Sequence, residues 1–243
     1  MRALSAIYRR EVASYLTTPT AYVFIAVFLF AAGAFTFEIG EFFALGRADL
    51  SVFFAAQPWL LMVFLPAIAM RLWAEERRAG TDELLLTLPA SAWTLTLGKF
   101  LAAWTLAAAA IALTAPLWVT VNLLGDPDNG AIAAAYAITL LMAGAYVAIG
   151  AALSALTGAQ VVAFVLAVLV SFLLTALGAP SALSFARSLG PDLGDLLSAI
   201  SILNHFETAQ RGVIDVRAIL FFATLIALFL GINVLAVEAK RGG

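Results

Sequence analysis

The sequence contains no cysteine and a single histidine, His205. Without cysteine there can be no disulfide, no thiolate metal site and no cysteine nucleophile. One histidine and scattered carboxylates do not make a zinc set. A serine nucleophile needs a histidine base beside it, and no Gly-x-Ser-x-Gly accompanies His205, which reads instead as a structural or interface residue. Lysine is scarce too, with only Lys99 and Lys240. The loop that cradles nucleotide phosphates needs Gly-x-x-x-x-Gly-Lys followed by Ser or Thr. Lys99 follows Gly98 but precedes Phe100, and Lys240 precedes Arg241, so neither belongs to such a loop. No catalytic residue, metal site or cofactor is expected in this chain.

Charge is the next scarcity. Charged residues make up 12% of the 243 and hydrophobic ones 64%, where a soluble domain has about 25% charged. Residues 12–37, 50–70, 100–125, 131–186 and 218–237 contain no Asp, Glu, Lys or Arg. A membrane-spanning helix needs roughly 20 mainly apolar residues. Four of the runs suit one crossing each. The fourth in order, 131–186, is long enough for two, with a break near Leu156-Thr157-Gly158-Ala159-Gln160. The expected fold is an all-α membrane protein with six crossings.

The missing charge also removes functions. Ion-coupled carriers place ionisable groups inside the bilayer, and an aspartyl intramembrane protease needs two membrane aspartates; the crossings have neither. Arg71, Lys99 and Glu238 are expected at membrane edges, where side chains reach water. Thr105, Thr114, Asn122, Thr139, Ser171, Thr175 and Asn233 are candidates for solute contact. Small polar residues commonly join neighbouring helices in membranes, and that is the better reading of each. The net charge of −2 gives no sign of a nucleic-acid partner.

Along the chain, residues 1–18 carry Leu4, Ile7, Tyr8, Val12, Tyr15 and Leu16 at helical spacing, with Arg9, Arg10 and Ser14 facing elsewhere. This predicts an amphipathic helix in the membrane interface. Arg9, Arg10 and Glu11 interrupt the opening stretch, so no cleavable signal is expected. Thr18 and Pro19 can cap and start the first crossing. The crossings are expected at 20–37, 54–73, 100–124, 131–156, 161–177 and 218–237, with kinks at Pro58 and Pro66. Residues 178–217 are expected to form short re-entrant or interfacial outer helices. Nine Lys and Arg then lie on the side of the termini against four opposite, which places both termini in the cytoplasm.

The most unusual loop is the cytoplasmic segment 74–99. Glu75, Glu76, Arg77 and Arg78 extend the second helix beyond the membrane. Gly80 can break it, Thr81 can cap a new one, and Asp82 and Glu83 suit its first turn. Leu84, Leu85 and Leu88 give an apolar face until Pro89 stops it, and Ser91 can cap the following helix. A solvated charge cluster with an interfacial helix accounts for this pattern as well as a docking element does.

The block Glu75-Glu76-Arg77-Arg78-x-Gly80-Thr81-x-Glu83-Leu84-Leu85-x-Thr87-Leu88-Pro89, then Gly98-Lys99-Phe100, resembles the signature of ABC-2 type export permeases. The likeness is closest to the gliding-motility-associated, GldF-like, branch. It continues in Pro19-Thr20-Ala21-Tyr22-Val23-Phe24, Pro58-Trp59-Leu60-Leu61, Leu203-x-His205-Phe206-Glu207 and Arg211-Gly212-Val213-Ile214-Asp215. The resemblance implies a non-catalytic, six-helix permease subunit of an ATP-binding cassette transporter in a bacterial inner membrane. It would pair with a second permease subunit, as homo- or heterodimer, and with an ABC ATPase that carries the ATP and Mg. The GldF-like branch adds an auxiliary protein with an extracytoplasmic domain. The ATPase-coupling element would be Glu75, Glu76, Arg77, Arg78, Gly80, Thr81, Asp82, Glu83, Leu84, Leu85, Leu88 and Pro89. The interfacial helix would contribute Tyr8, Arg9, Arg10, Glu11 and Tyr15. No residue identifies a substrate. The alternatives are a non-transporting force-relay or scaffold subunit acting on an extracytoplasmic partner, and an energy-independent channel or flippase.

Overall fold

The computed structural model describes residues 2–40, 42, 49–78, 80, 90–210, 212 and 215–241, and among these the chain is almost entirely helical, with no strand. Helix α1 covers Arg2–Thr17 and leads directly into α2, Pro19–Ala34, with Pro19 in its first turn. Proline suits that place because its missing N–H would have had no partner there. Thr18 holds the cap position, yet its hydroxyl does not cap α2. It donates to Ser14 O at 2.6 Å and finishes α1 instead. A π-helical turn, Phe35–Ile39, continues α2 to Gly40.

Next come α3, Ser51–Ala69, and α4, Arg71–Arg78. Helix α3 runs through both Pro58 and Pro66, and the interruption falls at Met70. Helix α5, Ala92–Ala112, begins eight residues before the expected crossing. Ser91 is its cap, accepting from Thr94 N at 3.2 Å. A break at Leu113 and Thr114 separates it from α6, Ala115–Leu124. Asp128 caps α7, Asn129–Leu156, accepting from Gly130 N at 2.9 Å and Ala131 N at 3.0 Å. The remaining helices are α8, Gln160–Ala176, α9, Pro180–Leu189, α10, Pro191–Ile200, α11, Ile202–Gln210, and α12, Val216–Arg241.

Among the described residues, five stretches are long and apolar enough to cross a bilayer: Pro19–Ile39, Ser51–Arg78, Ala92–Leu124, Asn129–Leu156 and Val216–Lys240. Helix α8 reaches that length only together with α9, and the two are bent by 68°. Helix α7 is the axis of the structure. It packs against α3, α5, α8, α11 and α12, and most of its side chains are buried. Its wealth of alanine and glycine suits this, since small residues let helix backbones approach closely.

Polar side chains in the apolar helices mostly stitch helices together. Tyr146 on α7 meets Thr175 on α8 at 2.7 Å, Thr114 meets Tyr136 at 3.0 Å, and Thr96 donates to Asn233 at 3.3 Å. His205 stacks on Phe221 with ring centroids 4.0 Å apart, and its Nδ1 lies 2.8 Å from Ser201 O. That residue joins α11 to α12.

Contacts place both chain termini at one end of the bundle. There α1 meets α4 and the start of α5, while Lys240 near the end of α12 reaches the end of α7. The opposite end gathers Asp49, Pro127, Asp128, Ala131 and Gln210.

Candidate functional site

The terminus-bearing end holds most of the charged residues that make ion pairs. Helix α1 lies against α5 because Gly98 has no side chain: a Cβ there would come 2.6 Å from Ile7 Cγ2. Tyr8 adds a hydroxyl contact to Thr105 at 3.1 Å. This approach brings Glu11, which shares a face of α1 with Ile7 and Tyr15, over the next residue of α5, Lys99. Lys99 is 1% exposed, and its ammonium donates to Glu11 Oε1 at 3.0 Å and to Glu76 Oε1 at 2.8 Å. Arg10 Nη2 donates to the same two oxygens, at 2.9 Å and 2.7 Å.

The result is a neutral ring of two cations and two anions that ties α1, α4 and α5 together. The Trp73 ring lies 5.3 Å from the Lys99 ammonium and closes one side of it. Lys99 therefore does not extend to water as its place at a membrane edge predicts. Its charge is compensated by protein, which a buried ammonium requires. Burial, and secondarily Glu11, push the Tyr15 phenol well above its ordinary pKa, with Arg71 opposing.

The next turns of α4 are anchored differently. Ser154 of α7 supplies a cap at the break between α3 and α4. Its hydroxyl accepts from Trp73 N at 3.1 Å and Ala74 N at 3.2 Å and donates to Met70 O at 2.7 Å. The first amides of a new helix lack carbonyl partners within it, so this hydroxyl does for α4 what an N-cap residue does from the same chain segment. Gly150, one turn earlier on α7, permits the approach: a Cβ there would sit 2.6 Å from Ala69 Cβ.

Arg77 donates to the carbonyls of Ala155 and Thr157, and Lys240 donates to Ala155 O at 2.8 Å. Cations at a helix C-terminus satisfy its free carbonyls and complement its dipole. Arg71 forms a forked pair with Glu75, both distances 2.8 Å, and also donates to Thr20 at the start of α2.

The residues expected at the coupling element thus divide by orientation. Glu76 and Arg77 are partly buried and engaged with α1, α5 and α7; Glu75, Arg78 and Gly80 are exposed. Gly80 has φ +67°, the left-handed conformation that ends a helix. Thr81, Asp82, Glu83, Leu84, Leu85, Leu88 and Pro89 lie outside the described residues. On α1, Arg9 and Arg10 face out, and Tyr8, Glu11 and Tyr15 face in. Lys99 and Ser154 are the residues that sequence reasoning did not place in this site. Lys99 had a signal, the Gly98-Lys99-Phe100 motif, whereas Ser154 had none, because nothing in a serine within an alanine-rich helix points to a break 84 residues earlier.

Residues 49–236 match the family described as ABC-2 family transporter protein. No curated protein matches the chain. The match spans well over half of the 243 residues and covers the apolar helices from α3 onward. Members of this family are generally non-catalytic membrane subunits that work with an ABC ATPase subunit. A multi-pass helical membrane protein with no nucleotide-binding loop suits that description, and the chain belongs to the ABC-2 family of transporter proteins.

Proposed function

We propose that this chain is the permease subunit of an ABC-2 exporter in a bacterial inner membrane, driven by a separate ATPase that docks on residues 75–89. The observation that carries the reading is the anchoring of α4. Its inner face is fixed to α1 and α5 by the charged ring and to α7 by Ser154 and Arg77, while Glu75 and Arg78 on its outer face are exposed. A push delivered at such a surface reaches α3, α5 and α7 together. With no ionisable residue at mid-membrane, the energy for transport has to arrive at an end of the bundle.

Chain direction supports a reading with six passages. Helix α7 finishes at the terminus-bearing end and α12 starts at the other, so the chain between them crosses once more, through α8. The excess of basic residues then assigns the terminus-bearing end to the cytoplasm. We assign the exposed Glu75, with Asp82 and Glu83, to ATPase contact; Glu76 and Arg77 hold the element in place. A second permease subunit completes the complex, and α9, α10 and α11 cap the outer face of the pathway.

The test is co-purification from native membranes. The tagged chain should bring down an ABC ATPase and its ATP hydrolysis. The double replacement Asp82→Lys, Glu83→Lys should lower that ATPase at least tenfold while leaving the permease at its normal membrane level. Equal recovery from both forms would remove the segment from the coupling role.

A further inference from the structure

A notch of about 610 Å³ opens at the terminus-bearing end, between the start of α2, the α3–α4 junction and the start of α8. Its height is set by sequence: Thr20 lies in the first turn of α2, and Gln160 begins α8, so the notch sits where two apolar helices enter the membrane. Phe24 and Met70 line its apolar part. Beyond it, Val23 and Val27 on α2 and Val161 and Val165 on α8 are exposed, each by about half or more. They offer rails for hydrocarbon chains.

The polar part carries a surplus of positive charge. Arg71 is occupied by Glu75 and Thr20, and that pair is neutral. Arg78 also lines the notch, is exposed, and makes no ion pair among the described residues. A guanidinium binds phosphate oxygens in a forked geometry, and the Gln160 amide can add a neutral donor. Apolar rails meeting, at headgroup height, an arginine with no ion pair among the described residues match one kind of molecule.

We propose that this notch binds the headgroup of an anionic phospholipid from the adjacent leaflet, with its phosphate on Arg78 and Gln160 and its chains along α2 and α8. Arg71, Glu75 and Arg78 all belong to α4, so the bound lipid bridges α4 to α2 and α8. Lipid composition would then set how freely α4 moves. The binding stands independently of any ATPase contact.

The test uses the full chain alone, purified in detergent and offered phosphatidylglycerol or phosphatidylcholine with identical chains, with retained lipid counted by native mass spectrometry. The wild type should retain phosphatidylglycerol in preference. Arg78→Gln should weaken that retention about fivefold, the effect of one arginine at a membrane surface, and Gln160→Ala should weaken it less. Arg217→Gln, which removes a charge at the opposite end, should leave it unchanged. Equal retention of the two lipids by the wild type, or equal loss in Arg78→Gln and Arg217→Gln, would overturn the site. Displacement of the lipid by millimolar inorganic phosphate would assign the notch to soluble phosphate and overturn the lipid. The motor protein is absent throughout, so failure here leaves the ATPase reading untouched.

Discussion

Lys99 shows how much one buried charge organises. Two carboxylates converge on its ammonium, and Arg10 balances the second of them. Lys99→Met would leave Glu11 and Glu76 in an apolar setting with a single cation between them. Removing one partner of a buried ion pair costs about 3–5 kcal/mol. We expect a loss of that order in denaturant or thermal unfolding of the purified protein, and a smaller loss when Glu11→Gln is added. Gly98 makes a companion case. Gly98→Ala should destabilise the α1–α5 contact by roughly 1–3 kcal/mol, the usual cost of overpacking, and Ile7→Ala in the same chain should recover part of it. The motif Gly98-Lys99-Phe100 was legible as a signature; its physical content was not. Glu11 sits on the apolar stripe of α1, four residues from Ile7 and from Tyr15. A carboxylate there signals a partner, but that partner is 88 residues away and no local pattern reveals it.

At the scale of elements, apolar periodicity and turn chemistry predicted most helices, because a long charge-free run in a chain of this composition has few other structures open to it. They did not foresee the α3–α4 junction. The helix continues past Pro58 and Pro66 and is interrupted at Met70, where Ser154 from α7 caps the new segment. Ser154→Ala would leave Trp73 N without its acceptor, a cost of about 1–3 kcal/mol for a buried group. Hydrogen exchange should therefore quicken over residues 71–78 and stay unchanged in the first half of α3. Unchanged exchange over 71–78 would show that Ser154 does not hold the junction. The start of helix α5 was legible, since Ser91 is the cap that the sequence offers. What the sequence did not disclose is that α1 and α4 cover its first turns at Gly98 and Lys99.

For the whole molecule, the sequence contained the spans and the asymmetry of basic residues but not the arrangement around α7. Packing order depends on which faces carry glycine and alanine against which neighbours, and one helix alone does not disclose that. The absence of cysteine turns this topology into a clean experiment. Single cysteines at Ala3, Asp126 and Glu238 are all exposed positions. In intact cells a membrane-impermeant maleimide should label the Asp126→Cys chain at once, and Ala3→Cys and Glu238→Cys only after permeabilisation. Labelling of Ala3 and Glu238 from opposite sides would mean an odd number of passages.

Coupling at the terminus-bearing end is tested most directly by placing a photo-cross-linking residue at Asp82 and irradiating native membranes. The adduct is then identified by mass spectrometry, with the same probe at Asp126 as control. The expected product at Asp82 is a covalent complex with a nucleotide-binding ABC ATPase, with none at Asp126. An ATPase captured at Asp126, or none captured at Asp82, would contradict the account.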